Sequence, residues 1–348
     1  MNDRRLLAIL APARSGSLRR REAGASPEEA ARALGRALAF LEKRQLPWGE
    51  VRADRYGTSD LRDGGRRDSG VFGTTVALQA LAGGSTLCQS AFFQRGLSWL
   101  LAERDDAGLW RYWSSRSPER IVPDVDDTSC AAHLLERFRP ESAGADARMA
   151  VLRNRDSRGR FLTWFRPPGE MNDVDAVVNA NACLLLGDDP GTAAAVAWLI
   201  DIVRQRREAS SYWYYLDDLA LYYAVTRAWR EAKVAALWAC RSAIVSRTLL
   251  RRGPDGSFGD ELATGLALCI LQGWGGMDRQ ALSVSAGCLL RSQRSDGSWP
   301  ARAYYAGPTA PSPRSVWWGS PEITTAICIE ALAGLASGAV EEGGTPLP

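Results

Sequence analysis

Apolar and polar positions along the chain alternate between two kinds of helical run. In the first kind, charged residues occupy one face and alanine, leucine and tryptophan the other, which is typical of a helix lying on a core. These runs cover 27–44, 89–103, 191–207, 231–250 and 278–294, with a weaker one at 145–153. The second kind is apolar nearly all round, which indicates helices buried on all sides. These runs cover 72–82, 126–138, 174–186, 217–229, 261–274 and 322–335.

A turn rich in glycine, aspartate and aromatic residues follows most runs of the first kind, as in D-D-A-G-L-W from Asp105 and S-D-G-S-W-P from Ser295. Glycine supplies the tight turn, and the aromatic residue packs under a neighbouring helix. The chain therefore repeats an outer helix, a turn and an inner helix about six times, in units of roughly 45 to 60 residues.

This repeat predicts an all-α protein folded as an (α/α)6 toroid, in which inner helices are surrounded by outer ones. An open superhelix is the alternative, but closure is favoured because the inner runs are apolar all round and number about six. We expect an N-terminal arm at 1–25 that packs on the body, one toroid domain at 26–338, and a disordered tail at 339–348. A membrane-surface role is the alternative for the arm, whose R-R-L-L-A-I-L-A-P-A sequence loosely imitates a signal peptide.

Composition restricts the classes of function. The 348 residues are 46% apolar and 24% charged, and the net charge of +3 is too small to indicate a nucleic-acid partner. No apolar run reaches the roughly 18 residues that a membrane span needs. Seven cysteines without a C-x-x-C pattern indicate buried, reduced thiols. We therefore expect a cytoplasmic protein, with peripheral contact to a membrane as the alternative.

The densest cluster of acidic residues lies at the start of an inner run, in the string D-V-D-D-T. One carboxylate is enough to cap a helix, whereas Asp124, Asp126 and Asp127 repel one another, so at least one pKa should be raised. A carboxylic acid that keeps its proton near neutral pH can protonate a substrate. Helix capping is the favoured interpretation for the acidic residues that begin two other inner runs, namely Asp217, Asp218, Asp260 and Glu261.

A second group of polar residues interrupts the third inner run. Asp175 and Asn179 are four residues apart and share a helix face. Buried polar groups need hydrogen-bond partners, so Asp175, Asn179 and Asn181 either bond one another or face a cavity near the acid. The sequence leaves these two alternatives open. His133, the only histidine, lies about two turns from Asp126 and could bond it, although a core histidine is the favoured interpretation.

Aromatic residues are dense in the turns that should surround the mouth of a toroid. Packing of turns against helices explains residues that follow D-G-S, such as Phe258 and Trp299. Adjacent aromatic residues cannot all point into a core, and a cavity walled by aromatic faces stabilises cations and excludes water. The predicted substrate-binding residues are Trp110, Trp113, Trp164, Phe165, Asp175, Asn179, Trp213, Tyr214, Tyr305, Trp317, Trp318 and Glu322.

Several other chemistries lack the residues they need. A single histidine and scattered cysteines argue against a zinc site. The sequence contains no G-x-S-x-G, no Walker loop, no G-x-G-x-x-G and no D-D-x-x-D. No metal site is predicted, and metal-triggered ionisation of a diphosphate has no obvious apparatus.

The D-V-D-D-T string resembles the DxDDT motif of class II terpene cyclases, the squalene–hopene cyclase group. The string Q-R-S-D-G-S-W from Gln293 is similar to the structural QW repeat of that group, and R-R-G-P-D-G-S-F from Arg251 is similar to a degenerate copy. The resemblance covers about 27–338. It implies an α/α toroid in which Asp126 protonates the terminal alkene or epoxide of a polyprenyl chain, while Asp124 and Asp127 tune and hold that acid.

Typical members of that group have two toroids with the cavity between them, whereas this chain has length for one. It looks more like the small single-toroid relatives that cyclise prenylated aromatic acids, the meroterpenoid cyclases, or short polyprenyl chains. The cavity would then lie inside the ring, closed by the N-terminal arm or by the loop from Arg302 to Pro321. No cofactor is expected. Magnesium would be needed only for a diphosphate substrate, which could be held near the mouth by Arg111, Arg116, Arg120 and Arg166.

The sequence thus predicts a class II, protonation-initiated terpene cyclase of the isomerase or intramolecular lyase type. It would convert a linear polyprenyl or prenylated aromatic substrate to a polycyclic product. One alternative is a non-catalytic toroid that binds a lipid or a protein. A second is a subunit like those of protein prenyltransferases, which would require a zinc site. The expected partner is a linear isoprenoid, and the sequence leaves the oligomeric state open.

Overall fold

The computed structural model describes residues 24–336, apart from 85, 143, 309–311 and 313. The predicted N-terminal arm at 1–25 lies outside these residues except for its last two positions, and the tail at 339–348 lies wholly outside. The described chain is mostly helical. Its α-helices are α1 Pro27–Arg44, α2 Val71–Leu81, α3 Ala91–Ala102, α4 Val125–Phe138, α5 Asp146–Arg153, α6 Ala176–Leu186, α7 Ala193–Gln205, α8 Asp218–Arg230, α9 Arg241–Leu250, α10 Glu261–Gly273, α11 Arg279–Ser292 and α12 Pro321–Ala336.

Many of these helices begin after an aspartate whose side chain accepts a backbone N–H of the first turn. Such caps are Asp124, Asp175, Asp217, Asp260 and Asp278. The capping prediction is therefore confirmed for Asp217 and Asp260. The side chains of Asp218 and Glu261 instead bind a tyrosine hydroxyl and an arginine. Acidic residues at these positions thus serve two purposes, helix initiation and links between neighbouring segments.

The two kinds of helix alternate along the chain as the hydrophobic pattern predicts. The inner helices are α2, α4, α6, α8, α10 and α12. Each contacts the next, and α12 contacts α2, which an open superhelix would not bring together. The remaining helices pack outside them, for example α1 on α12, α3 on α2 and α7 on α6. Contacts among the inner helices therefore form a closed cycle.

The starts of successive inner helices lie on the same side of this cycle. The first residue of α2, Val71, donates its backbone N–H to the segment ahead of α4, at a distance of 2.8 Å. Val125 at the start of α4 makes the same bond to the segment ahead of α6, and Ala176 makes it to the segment ahead of α8. Side chains near the N-terminal ends of these helices are therefore brought together at one mouth.

The inner helices are buried along most of their length. In α6 all 11 residues are buried, including two asparagines.

Five cysteines on or beside the helices are buried without a disulfide, Cys130, Cys183, Cys240, Cys269 and Cys328. Within the part of the chain that the structure describes, none of the helices combines the length and the apolarity that crossing a bilayer requires.

Glutamine side chains tie outer helices together at the turns. Gln45 donates from Nε2 to the carbonyl oxygen of Gly49 and to a carbonyl of α3, both at 2.9 Å. Gln293 repeats the arrangement with Gly297, at 3.0 Å, and with a carbonyl of α1, at 2.9 Å. Both glycines have φ in the left-handed region, and a Cβ at either would lie 2.3 Å from a backbone oxygen of the adjoining helix. Glycine is therefore required at both turns.

One outer run departs from its predicted helix. The segment predicted as a single helix over 231–250 instead forms a 3-10 helix, Ala235–Cys240, followed by α9. Lys233 has a φ of 60°, in the left-handed region that interrupts a right-handed helix. The break brings Trp238 against Trp229, with 5.4 Å between ring centroids. Packing of tryptophans thus accompanies the loss of helical continuity.

A four-stranded antiparallel sheet shows that the all-α prediction is wrong in one respect. Its strands, in the order β2-β1-β4-β3, are β1 Ala53–Tyr56, β2 Arg66–Asp68, β3 Tyr305–Gly307 and β4 Val316–Gly319. The loop predicted between Arg302 and Pro321 therefore contains two strands. Because β1 and β4 come from opposite ends of the described chain, short-range patterning could not reveal their pairing.

Candidate active site

The acidic string D-V-D-D-T forms the first turn of α4. Asp124 is the cap of the helix, and its Oδ1 accepts the backbone N–H of Asp127 at 2.7 Å. Val125 between them is fully buried in the core. Asp126 points in another direction, since side chains at successive helical positions face different sides. The local fold thus uses one carboxyl for capping and presents another to its surroundings.

The carboxyl group of Asp126 is held from two sides. Asn181 of α6 donates from Nδ2 to its Oδ1 at 2.6 Å. The hydroxyl of Tyr215, in the segment ahead of α8, donates to its Oδ2 at 2.7 Å. Burial raises the pKa of Asp126, although both hydrogen bonds oppose the shift. The result is an oriented carboxyl group that binds its proton more tightly than an exposed aspartate does.

Burial and the charges of neighbouring carboxylates also raise the pKa values of the two flanking carboxyls, Asp124 and Asp127. Burial raises the pKa of Asp124 to about 7, with the charge of Asp126 adding to the shift and the backbone hydrogen bond from Asp127 opposing it. Burial and the charges of its two neighbours raise the pKa of Asp127 well above its usual range. Asp124 Oδ2 and Asp127 Oδ1 have no hydrogen-bond partner among the described residues. Burial and the charges of neighbouring carboxylates therefore favour the protonated forms of this cluster.

A narrow cavity of about 20 Å³ lies beside Asp126, between α2, α4, α6 and α8. Its wall is mostly apolar and aromatic, with a few polar groups. The lining residues are Phe72, Thr75, Val76, Gln79, Asp126, Asp127, Cys130, Val177, Asn181, Tyr215, Ala220, Tyr223, Ala224, Arg227 and Tyr304. An acid exposed to such a space acts in a low-dielectric setting, where proton transfer to a poor base is not in competition with bulk water.

Aromatic rings and the sheet cover the mouth of the cavity. Phe72 packs on Tyr305, with 4.4 Å between ring centroids, and Tyr305 stacks on Trp318 at 5.4 Å. The hydroxyls of Tyr112 and Tyr305 are hydrogen-bonded at 2.8 Å. Strand β3 also bridges to Tyr215, the residue that holds the acid. The cover and the acid are therefore parts of one connected structure.

Several predicted aromatic residues belong to this cover or to the segments around it. The indole nitrogens of Trp113 and Trp318 both donate to Asp68 Oδ2, at 3.2 and 2.8 Å. Trp317 lies beside Trp318 in β4, where it pairs with β1. Phe165 packs against the core from the segment ahead of α6. These side chains surround the mouth without lining the described cavity.

A further three predicted aromatic residues connect neighbouring turns. Trp164 donates from its indole nitrogen to the hydroxyl of Tyr214 at 2.8 Å. Tyr214 in turn donates to Asp173 Oδ2 at 2.7 Å. Trp213 donates its indole N–H to the carbonyl of Val174 at 3.2 Å. Hydrogen bonds thus fix these rings to the segments that precede α6 and α8.

The remaining predicted residues make internal hydrogen bonds away from the cavity wall. Trp110 is buried and donates to a carbonyl of α3 at 2.7 Å. Asp175 accepts four backbone N–H groups, and Asn179 bonds both backbone groups of Phe161. Glu322 is buried and binds two arginines. None of the twelve predicted substrate-binding residues lines the described cavity, so their contact with substrate stays a prediction.

Neither residue that holds the acid was among the predicted substrate-binding residues, although the sequence left open that Asn181 faces a cavity near the acid, as it does. Asn181 lies two positions beyond Asn179, on another face of α6, and its sequence signal was an amide within an apolar run. Tyr215 was one of four aromatic residues in Y-W-Y-Y, with nothing local to distinguish it. Gln79 and Arg227 also interrupt apolar inner helices and line the cavity. His133, weighed as a partner of the acid, instead lies 3.4 Å from a glutamate.

Comparison with known proteins gives a likeness of fold. No protein-family model matches the sequence, and no curated protein matches it. The structure of a protein from Actinoplanes is 21% identical, with a TM-score of 0.69 over 88% of this chain and 99% of that chain. The apo structure of the type II terpene cyclase MstE from Scytonema is 17% identical, with a TM-score of 0.69 over 89% of this chain and 99% of that chain.

Two further structures extend the likeness. A variant of MstE in complex with its substrate, geranylgeranyl dihydroxybenzoate, is 18% identical, with a TM-score of 0.68 over 89% of this chain and 98% of that chain. The ent-copalyl diphosphate synthase from Streptomyces platensis is 17% identical, with a TM-score of 0.54 over 77% of this chain and 50% of that chain. The Actinoplanes protein and MstE therefore match this chain over nearly their whole length. Only half of the ent-copalyl diphosphate synthase chain does so.

Proposed function

We propose, from the class II terpene cyclase-like fold of this chain, that it is a class II cyclase of a linear isoprenoid with Asp126 as the general acid. The closed cycle of inner helices supports the further proposal that the fold is a single α/α toroid. Fold alone does not assign an activity, because one fold hosts many functions. The proposal therefore depends on the chemistry of the site.

The observation that carries it is the carboxyl group of Asp126 in the wall of a narrow, largely apolar cavity, held by Asn181 and Tyr215. An alkene is a very weak base, so its acid must be protonated, desolvated and aimed. Burial raises the pKa of this carboxyl, and the two hydrogen bonds fix both of its oxygens. These three properties match what protonation of an alkene requires.

The aromatic part of the wall suits the carbocation that such a protonation creates. Phe72, Tyr215 and Tyr304 line the cavity, and aromatic rings attract cations to their faces. The sheet and its aromatic residues cover the mouth, which would keep water from the cation while rings close. The flanking carboxyls of Asp124 and Asp127 would limit ionisation of the cluster and hold the acid in place.

We propose a linear polyprenyl or prenylated aromatic compound as the substrate. Support comes from the likeness to MstE, whose complex contains a geranylgeranyl dihydroxybenzoate. The reaction would be an isomerisation: the proton given to the alkene is matched by a proton lost when the last cation collapses to a double bond. No cofactor enters this scheme.

Product analysis tests the proposal. Purified full-length protein and its Asp126→Asn variant are incubated with geranylgeranyl dihydroxybenzoate, its farnesyl counterpart and geranylgeraniol, and products are identified by mass spectrometry and NMR. We expect cyclic products from the wild type and a loss of at least ~100-fold in the variant, in line with the usual contribution of a general acid. Asp278→Asn, at the exposed cap of an outer helix, is the matched control. A wild type that cyclises none of these compounds, or a fully active Asp126→Asn protein, would favour the non-catalytic binding module.

A further inference from the structure

Deeper in the same cavity, a second pair of acid–base groups is hydrogen-bonded. Tyr223 of α8 lines the cavity, and its hydroxyl donates to Oε2 of Glu330 in α12 at 2.6 Å. Glu330 is half-buried and lies behind the tyrosine, outside the cavity lining. The pair joins two inner helices that are not neighbours in the cycle, since α10 lies between α8 and α12. Protonation of the substrate by Asp126 does not use either residue.

Tyr223 lies further from the mouth of the cavity than Asp126 does. Asp126 is in the first turn of α4, and Tyr215, which holds it, precedes α8. Tyr223 comes five residues after the start of α8, about 7 Å further along the helix axis. Because the inner helices start on one side, this places Tyr223 below the level of the acid. A chain protonated at Asp126 and folded into the cavity would carry its cation toward Tyr223.

The pair Tyr223–Glu330 differs from the pair Tyr215–Asp126 in the group that accepts the hydrogen bond of the tyrosine. Tyr215 donates to Asp126, the group that has just given up its proton at the start of the chain. Tyr223 donates to a separate carboxylate. We propose that Tyr223 is the base that ends the reaction, and that it passes its own phenolic proton to Glu330 as it takes a proton from the last carbocation. This inference rests on the proposed function and extends it to the final step.

The step balances in atoms and charge. A C–H bond next to the cationic carbon breaks, and its electron pair becomes the new double bond. The released proton bonds to the phenolic oxygen of Tyr223, whose own proton moves to Oε2 of Glu330 and converts that carboxylate to a carboxylic acid. Asp126 has meanwhile become a carboxylate. Exchange with solvent returns one proton to Asp126 and removes one from Glu330, so no oxidant or other reactant is needed.

The surroundings suit a carboxyl group that alternates between its two forms. Burial raises the pKa of Glu330 to about 7, with the guanidinium of Arg227 opposing the shift. Arg227 lies over the ring of Tyr223, with 5.6 Å from Cζ to the ring centroid, and pairs with Glu231 at 3.0 Å. The positive charge stabilises the carboxylate that must receive the proton, while burial favours its protonated form afterwards.

The Glu330→Gln variant distinguishes a role of Glu330 in proton transfer from a purely structural hydrogen bond to Tyr223. In Glu330→Gln the amide oxygen can still accept the hydroxyl of Tyr223, but the side chain cannot take up a proton. Wild type, Glu330→Gln and Tyr223→Phe are compared with geranylgeranyl dihydroxybenzoate as the probe. The measured quantity is the share of the wild-type alkene among all cyclic products. We expect this share to fall at least ~10-fold in both variants, with other alkene isomers or alcohols in its place, and substrate consumption to fall less.

Tyr222→Phe is the matched control. Tyr222 is the neighbouring residue, and its hydroxyl donates at 2.8 Å to Glu208, away from the cavity lining. Its product ratio should equal that of the wild type. Unchanged ratios in Glu330→Gln and Tyr223→Phe would overturn the assignment of the base while leaving Asp126 as the acid. If the wild type cyclises no probe, the proposed function fails and this inference fails with it.

Discussion

Nδ2 of Asn181 and Oδ1 of Asp126 are 2.6 Å apart, a hydrogen bond that joins the wall of α6 to the acid on α4. A hydrogen bond of this length is short for an N–H···O contact and holds its two partners in a defined orientation. The amide of Asn181 therefore fixes one oxygen of the Asp126 carboxyl group. The hydroxyl of Tyr215 binds the other oxygen and so sets the rotation of that carboxyl group. The aim of the acid depends on residues from three separate segments.

Asn181→Leu should slow cyclisation without abolishing it. Leucine fills a similar volume but cannot donate, so the carboxyl of Asp126 loses one of its two supports. We expect kcat to fall roughly 10- to 100-fold, because misplacement of a catalytic group by about 1 Å has effects of that size. Steady-state kinetics of product formation check this, with a thermal melt to verify folding. An unchanged kcat in a folded variant would contradict the orienting role of Asn181.

Tyr215→Phe should move the pH dependence of cyclisation upward. The acid works in its protonated form, so the rate falls as pH rises through the pKa of Asp126. The hydrogen bond from Tyr215 stabilises the carboxylate and lowers that pKa, and its removal raises the pKa further. The descending limb of the pH–rate profile should therefore shift to higher pH, while the maximal rate falls. A limb that moves to lower pH would argue against Asp126 as the titrating group.

Asp124→Asn should flatten the pH dependence of stability. The pKa of Asp124 is raised from 3.8 to about 7 on folding, so the stabilisation due to its protonation is complete below 3.8 and is lost as pH rises to about 7. Asparagine keeps the helix cap but does not titrate. The fall in the free energy of unfolding between pH 5 and pH 8 should be smaller in the variant by roughly 2 kcal/mol, as measured by urea denaturation.

The exposed cap Asp278 offers a control for that comparison. Asp278→Asn also keeps a capping side chain, at the start of the outer helix α11. Its unfolding free energy should follow the wild-type pH dependence. Equal flattening in both variants would mean that the effect does not arise from burial of the acid cluster.

Gln293→Ala should destabilise the fold and leave the products alone. The variant loses the two hydrogen bonds that tie the end of α11 to its own turn and to α1, and a third from the guanidinium of Arg36 to the amide oxygen of Gln293. Losing these hydrogen bonds costs on the order of 2 kcal/mol of unfolding free energy. Gln205→Ala, at the exposed end of α7, should change stability much less. Altered product ratios in a folded Gln293→Ala protein would show that this glutamine does more than support the ring.

Local patterning was sufficient for most of the helices and for locating the acidic cluster. Each helix can be recognised from its own stretch of sequence, because its apolar positions recur with the helical period. The acidic cluster is equally local, since three carboxyls within four positions exceed what capping of one helix needs. The cavity lining could not be read in this way. Asn179 and Asn181 lie two positions apart on different faces of α6, and only the packed helix decides which face meets Asp126. Tyr215 and the sheet depend on contacts between distant segments, which leave no periodic signal.

The cover of the cavity joins the two ends of the described chain. Strand β1 follows the first helix, strand β4 precedes the last, and Gln293 bonds to α1 across 260 positions of sequence. Such long-range pairing forms late, because the loop between the partners must be closed first. During synthesis on the ribosome, the mouth of the cavity would lack its cover until β3 and β4 emerge. The closed cavity that the proposed chemistry needs is therefore the last part of the fold to be completed.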